Sequence, residues 1–216
     1  MAEMPNEDQV PKAVVNRMSL YLRELQQLMR YGKSTTSSTQ LGELLGFTDA
    51  QVRKDLAHFG QFGYPGVGYR CEELVSAIRQ ILGTDQDWPV AIVGVGNLGR
   101  ALLGYRGFGN QGFRVVAAFD ADLTKVGSRV EGIEVYAITD LESVVRRERI
   151  RLGMIAVPAP AAQQVADELA RSGVEGIVNF APVTLVGPAG LCVVGVDLAI
   201  ELEQLSFAVV NREKKP

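Results

Sequence analysis

The chain has 216 residues, 47% hydrophobic and 22% charged, which gives room for one or two domains with real cores and excludes wholesale disorder. Two cysteines, Cys71 and Cys192, exclude a disulfide framework or a Cys-rich zinc site, and the single histidine, His58, excludes any site that needs two His ligands. The net charge of −3 argues at first against a nucleic-acid partner; with no apolar run long enough to cross a bilayer and no signal-peptide pattern in the polar N-terminus, a cytoplasmic location is expected.

That charge is unevenly spread. Between Gln9 and Arg70 there are eight bases (Lys12, Arg17, Arg23, Arg30, Lys33, Arg53, Lys54, Arg70) and four acids (Glu24, Glu43, Asp49, Asp55), so this stretch carries +4 and the remainder −7. A basic module beside an acidic one is the pattern expected when only one of them meets polyanion. Val14, Met18, Leu22, Leu25 and Met29 recur at steps of three and four and predict a helix from about Lys12 to Tyr31, stopped by Gly32. Ser37 with Gln40, and Thr48 with Gln51, have capping-box spacing and open two further helices, the first closed by Gly46.

On the third helix Val52, Leu56 and Phe59 share one face, with Ala50, Lys54 and Ala57 roughly opposite and Gln51, Arg53 and His58 at the flanks. Two short helices joined by a glycine turn make a helix-turn-helix candidate, whose second member would enter the major groove. There Arg, Lys and Gln read base edges or hold phosphates. The stretch from Gly60 to Arg70, with four glycines and Pro65, predicts a two-stranded hairpin with its tip at Tyr64-Pro65-Gly66, a β-wing set against phosphates or a minor groove. The candidate DNA-contacting residues are Ser37, Ser38, Ala50, Gln51, Arg53, Lys54, Gly60, Tyr64 and Gly66. An ordinary three-helix module whose charges form a solvated face fits the same spacing.

A helix from Glu72 to Leu82 leads into a polar break at Gly83–Asp87, where the domain boundary is expected. Val90-Ala91-Ile92-Val93 reads as a buried strand and runs into Gly94-Val95-Gly96-Asn97-Leu98-Gly99. G-x-G-x-x-G is weak alone, but here a strand precedes it, a helix follows, and a second strand from Arg114 ends at Asp120 at the expected distance. Gly94 permits the tight turn, Gly96 lets backbone N–H groups approach a pyrophosphate, and Gly99 packs the helix close to the strand. Asp120 would accept from the adenosine ribose hydroxyls and repel a 2′-phosphate, favouring NAD(H). A Rossmann-like domain holding no dinucleotide, or another adenine nucleotide, shares these features. Strands follow near Val135, at Leu152–Val157 and at Gly176–Asn179, with helices around Leu141–Arg147 and after Pro158. Ligands of such sheets sit at the carboxyl ends of the strands, so Pro158, Asn179 and Phe180 are expected near the nicotinamide, though each also fits plain loop chemistry. The last helix carries Leu198, Leu202, Leu205 and Val209 as a stripe for a partner helix or for its own sheet.

Taken together the chain resembles the Rex family of bacterial redox-sensing transcriptional repressors, from about Val14 to Phe207. The likeness rests on Ser37-Ser38-x-x-Leu41, Gln51-Val52-Arg53-Lys54-Asp55-Leu56 with Phe59-Gly60, and Gly66-Val67-Gly68-Tyr69. In the second half it rests on the glycine motif, Phe119-Asp120-x-Asp122 with Lys125-x-Gly127, Asn179-Phe180-Ala181-Pro182 and Val196-Asp197-Leu198. The resemblance implies an α/β protein with an N-terminal winged helix-turn-helix domain (1–84), a C-terminal Rossmann-type doubly wound domain (85–196) and a terminal swapped dimerisation helix (197–216). It implies a homodimer on palindromic double-stranded operator DNA, released by NADH, with NAD+ as the other form of the effector and no membrane partner. By position, Arg17 would lie at the interface with the partner subunit with Asp197 as its charge partner, and Tyr105 would lie near the nicotinamide. The wing tip departs from the family: Tyr64-Pro65 stands where basic residues are common. A small NAD-dependent dehydrogenase is the main competing class, and a CoA-binding module the second. The first lacks a substrate domain and an acid–base group, since the one histidine lies on the recognition helix.

Overall fold

The computed structural model describes residues 10–212, so the outermost parts of the expected first and last segments, 1–9 and 213–216, lie outside it. The chain divides between Gln86 and Asp87 into two compact units, each with its own core.

In the first unit α1 (Lys12–Arg30) buries Val14, Met18, Tyr21, Leu22, Leu25 and Leu28, one stripe at helical spacing. A two-residue strand β1 (Thr35–Thr36) precedes α2 (Ser38–Leu45). The Ser37 hydroxyl accepts from the Gln40 N–H, and Gly46 ends α2 in the left-handed region at φ 75°, where a side chain would be strained. The Thr48 hydroxyl accepts from the Gln51 N–H and opens α3 (Asp49–Ala57), which ends two residues short of Phe59. Both capping boxes are half-made: the Gln40 side chain accepts from Thr36 Oγ1, and that of Gln51 turns to Asp55. The wing also differs from the expected hairpin. Its ladder is β2 (Tyr69–Arg70) against β1, and the tip is held by a single bridge between Tyr64 and Gly68. Gly60, Gly63, Gly66 and Gly68 all take positive φ and interrupt the ladder that two longer strands would need. The helix α4 (Cys71–Ile81) closes the core with Cys71, Leu74 and Ile78.

The second unit alternates strand and helix: β3 (Trp88–Val93), α5 (Asn97–Leu103), β4 (Phe113–Asp120), the short β5 (Arg129–Val130), β6 (Ile133–Ala137), α6 (Leu141–Glu148), β7 (Leu152–Ile155), α7 (Ala159–Arg171), β8 (Gly176–Asn179), β9 (Cys192–Gly195) and α8 (Leu198–Arg212). Spatial order is β5-β6-β4-β3-β7-β8-β9, parallel except for β5. Strand order therefore reverses beside β3, the switch point where doubly wound sheets bind ligands. The period-two pattern of β3 sorts its side chains by face: Ala91 and Val93 join the core under α6 and α7, Val90 and Ile92 the core with Leu103 of α5.

Candidate functional site

Four strand ends meet at one level. Val93 pairs with Phe119 and with Ile155, and Ile155 pairs with Asn179, so the segments after β3, β4, β7 and β8 all emerge together. Gly94, at φ 98°, makes the turn out of β3, and a Cβ there would lie 2.5 Å from the Ala156 carbonyl oxygen. A Cβ on Gly99 would lie 1.8 Å from the Gly94 oxygen, so α5 is pressed on its own loop. Gly96 is different: a Cβ would meet no protein atom within 4 Å. Its glycine is not demanded by this chain's packing, which leaves a cradle fit for a phosphate group against exposed Gly96, Asn97 and Leu98.

Asp120 ends β4 facing that loop. Its carboxylate accepts from the N–H of Val95 (2.8 Å) and of Asp122 (2.9 Å) and from Lys125 Nζ (3.0 Å). Burial alone would raise its pKa, but these hydrogen bonds and the Lys125 charge outweigh it and hold the carboxyl below its ordinary value. Asp120 is thus ionised and also latches the glycine loop. Lys125, of the Lys125-x-Gly127 segment, is its counter-ion, a role that spacing alone did not reveal.

The nicotinamide-side candidates are unequal. Tyr105 is 60% exposed and stacks edge to face on Phe108 at 4.8 Å, and Phe108 and Phe180 pack on the α5 face of the sheet. Pro158 is exposed at the start of α7. Asn179 ends β8, and its buried side chain donates to the Ala181 and Val183 carbonyls and accepts from the Ala181 N–H. Both amide hydrogens serve the following loop, so its side chain is a loop brace rather than a pocket donor.

In the first unit the surface of α3 presents Ala50, Arg53 and Lys54, with Gln51 half-buried. Arg53 donates to Asp49 and Ser38, both contacts exposed and readily exchanged for phosphate. Ser38 thereby meets Arg53, while Ser37 caps α2. At the wing, Tyr64 donates to Glu73 and lies on the Arg70 guanidinium at 4.8 Å; Gly60 and Gly66 are exposed.

The residue the sequence reading missed here is Asp55. It falls on the apolar face of α3, fully buried, and accepts from Arg17 Nε (2.5 Å) and Nη2 (2.8 Å), Tyr21 Oη (2.8 Å) and Gln51 Nε2 (2.6 Å). Arg17, expected to pair with Asp197, therefore has Asp55 of its own unit as its carboxylate. A carboxylate three residues after Val52 and one before Leu56 is the signal that a buried cation must face it. Burial would raise the Asp55 pKa, but the donors from Arg17, Tyr21 and Gln51 hold it low. Asp55→Ala strands Arg17 and Tyr21 without their acceptor and is expected to cost about 3 kcal/mol, read as a lower melting temperature of the first unit. A carboxyl with a depressed pKa stabilises fully above its unfolded value of about 3.9 and loses that contribution as pH falls through the folded value. Wild-type stability should therefore drop below about pH 4 more steeply than that of Asp55→Ala, in urea melts at stepped pH.

In α8 no residue is buried. Leu198, Leu202 and Leu205 are 72%, 66% and 60% exposed, and Phe207 73%, so docking on its own sheet does not occur. Asp197 caps the helix by accepting from the Ala199 N–H. Among the described residues no helix is long and apolar enough to cross a membrane, and no three metal-ligating side chains cluster. Burial pushes the Cys71 thiol pKa up, the wrong direction for a redox-reactive thiolate.

Comparison with known proteins matches both units. The family described as "Putative DNA-binding protein N-terminus" matches residues 9–57, and "CoA binding domain" matches residues 85–183. A protein of Pelotomaculum thermopropionicum named redox-sensing transcriptional repressor Rex is 45% identical over 95% of this chain and 97% of its own. Rex of Carboxydothermus hydrogenoformans is 48% identical over 93% and 96%. Among solved structures, RSP in complex with β-NAD+ and operator DNA is 35% identical with a TM-score of 0.89, covering 94% of both chains. RSP in complex with β-NADH is 33% identical with a TM-score of 0.85, covering 94% of this chain and 96% of that one. With this identity running through both units, the chain belongs to the Rex family of redox-sensing transcriptional repressors.

Proposed function

We propose that the chain is a redox-sensing repressor that binds a palindromic operator as a homodimer and loses DNA affinity on binding NADH, so that operator occupancy reports the NADH/NAD+ ratio. The observation that carries this is the joining of an exposed Ala50–Lys54 helix surface and an Asp120-latched glycine loop in one chain, similar over 94% of its length to RSP seen with operator DNA and, separately, with β-NADH. The loop Gly94–Gly99 (through Val95, Gly96, Asn97 and Leu98) would hold the pyrophosphate and Asp120 the ribose. Tyr105, Pro158, Phe180 and the Asn179 backbone would line the nicotinamide end. Ser37, Ser38, Ala50, Gln51, Arg53, Lys54, Gly60, Tyr64 and Gly66 would meet DNA. Leu198, Leu202 and Leu205, in a dimerisation segment from 197 onward, would meet the second subunit. Arg17, whose Nε and Nη2 serve Asp55, would reach Asp197 across that dimer through its remaining Nη1 donors.

Bound, the cofactor supplies a signal: its oxidised and reduced rings differ by a hydride and one positive charge. A site walled by Tyr105, Phe108 and Phe180 favours the neutral ring, because burying a cation without a counter-charge is costly. The protein must then hold two arrangements of unequal affinity for NADH, since equal affinity shifts nothing. An enzymatic reading has less support: close relatives are named as repressors, and the one histidine ends α3. Fluorescence anisotropy of genomic fragments, with NADH and NAD+ in separate arms, tests the proposal. NADH should release the fragment and NAD+ should not; steady NADH oxidation with hydroxy acids or aldehydes would favour the dehydrogenase.

Lys54→Ala should weaken operator binding about tenfold and make the salt slope shallower by about one, with NADH affinity intact; unchanged DNA affinity would take α3 out of the interface. The match to a family described as CoA-binding supports a second reading. Against it stands Asp120, whose charge repels the phosphate on the CoA ribose as it repels that of NADPH. Asp120→Asn should weaken NADH about tenfold while NADPH and CoA gain relative to it. Calorimetric titration of all three ligands checks this, and tighter wild-type binding of CoA than of NADH would reverse the assignment.

A further inference from the structure

Asp55 is fully buried, and each of its carboxylate oxygens accepts two hydrogen bonds. Arg17 alone neutralises it, and Tyr21 adds a third hydrogen bond from α1. The fourth comes from the recognition helix itself: Gln51, one turn earlier on α3, donates through Nε2 at 2.6 Å to Asp55 Oδ1. We infer that Asp55 is a positioning residue that fixes the Gln51 amide, from the buried side of α3, as a pre-set reader of one A·T pair. This rests on the operator binding proposed above.

The chemistry follows from what each group can do. An ionised carboxylate only accepts, so the amide nitrogen and not its oxygen must face Asp55. One of the two N–H bonds is then engaged. With the N–H trans to its oxygen turned to Asp55, the amide keeps its carbonyl oxygen and the cis N–H side by side, and that couple matches the N6 donor and N7 acceptor of adenine in the major groove. Gln51 is half-buried, third in α3, within the N-terminal part of the helix that contacts base edges in this motif. A glutamine ordered only on contact with DNA gives up rotamer freedom at that moment, and the bond to Asp55 removes that loss from the binding step. The other polar groups of the α3 surface are not held in this way. Arg53 makes exposed contacts to Ser38 and Asp49, suited to exchange for phosphates, and Lys54 is an exposed point charge. The helix thus combines one fixed reader with cations that supply affinity without sequence.

The test is a binding series in which each base pair of the operator half-site is replaced in turn, with the salt slope measured in parallel. Wild type should reject the replacement of one A·T pair by about 5- to 150-fold. Gln51→Ala should lower that discrimination to below about twofold while leaving the other positions and the salt slope unchanged. Asp55→Asn should relax the same position, and Tyr21→Phe, which keeps the Gln51 bond, should not. A purely structural Asp55 would instead weaken all sequences alike, and a wild-type profile in Gln51→Ala would likewise overturn the inference. If Asp55→Asn fails to fold, the side-chain amide resonances of Gln51 in the DNA-free wild type decide. A dispersed, exchange-protected pair supports a pre-set amide, and averaged random-coil positions refute it. Absence of any sequence preference in the wild type would remove operator binding itself, whereas a selective wild type with an indifferent Gln51→Ala removes only this inference.

Discussion

Gly99→Ala should abolish NADH binding and destabilise the second unit, whereas Gly96→Ala should leave the fold intact and weaken NADH alone. The two glycines sit three residues apart in one loop, and the difference between them is steric. At Gly99 an added methyl would stand 1.8 Å from the Gly94 oxygen and 2.9 Å from the Gly94 carbon, both backbone atoms. No flexible side chain can yield, so either α5 moves off β3 or the Gly94 turn opens, and the loop geometry is lost with it. Overpacking of this kind costs about 1–3 kcal/mol, occasionally more, and here it falls on the element that shapes the site. At Gly96 the same methyl meets no protein atom within 4 Å, and the backbone, at φ −83°, suits any residue. Any loss of NADH affinity in Gly96→Ala is therefore a clash with the ligand. Thermal melts with NADH titrations separate the cases. Equal behaviour of the two variants would mean that the pyrophosphate does not rest on this loop.

Truncation after Val196 should convert the dimer into a monomer and lose operator affinity, with little loss of stability in either unit. The helix α8 buries nothing in its own chain and leaves Leu198, Ile200, Leu202, Leu205, Phe207, Val209 and Val210 all exposed. Folded monomers rarely leave so continuous an apolar surface in water, so a second copy of the chain is its expected cover. A palindromic operator needs two recognition helices at fixed spacing, and a monomer offers one. Light scattering of the truncated chain gives its mass directly; a stable truncated dimer would place the interface elsewhere.

What was legible in the sequence was local or periodic. Helix starts followed from Ser37 and Thr48, the end of α2 from Gly46, and the glycine loop from its position between a strand and a helix, each set by neighbours a few residues away. What was hidden depends on distant partners. The wing strand Tyr69–Arg70 pairs with Thr35–Thr36 across more than thirty residues, and no hairpin signal encodes that. Asp55 figured in the sequence only as one of four acids and as part of a motif, because its cation lies 38 residues earlier on another helix. Asn179 stands at a strand end where ligands gather, yet its amide is committed to Ala181 and Val183. Residue type and strand position marked the place but not which hydrogen bonds were already made.

The central claim is that NADH and operator DNA act on one equilibrium from different units. Linkage makes that coupling reciprocal: whatever factor NADH takes from DNA affinity, DNA must take from NADH affinity. The direct measurement is an NADH titration, followed by fluorescence, of the dimer alone and of the dimer saturated with operator duplex. Operator should weaken NADH by the same factor by which NADH weakens operator, about 5- to 150-fold for an ordinary allosteric coupling. Identical NADH affinities in the two titrations would contradict the account.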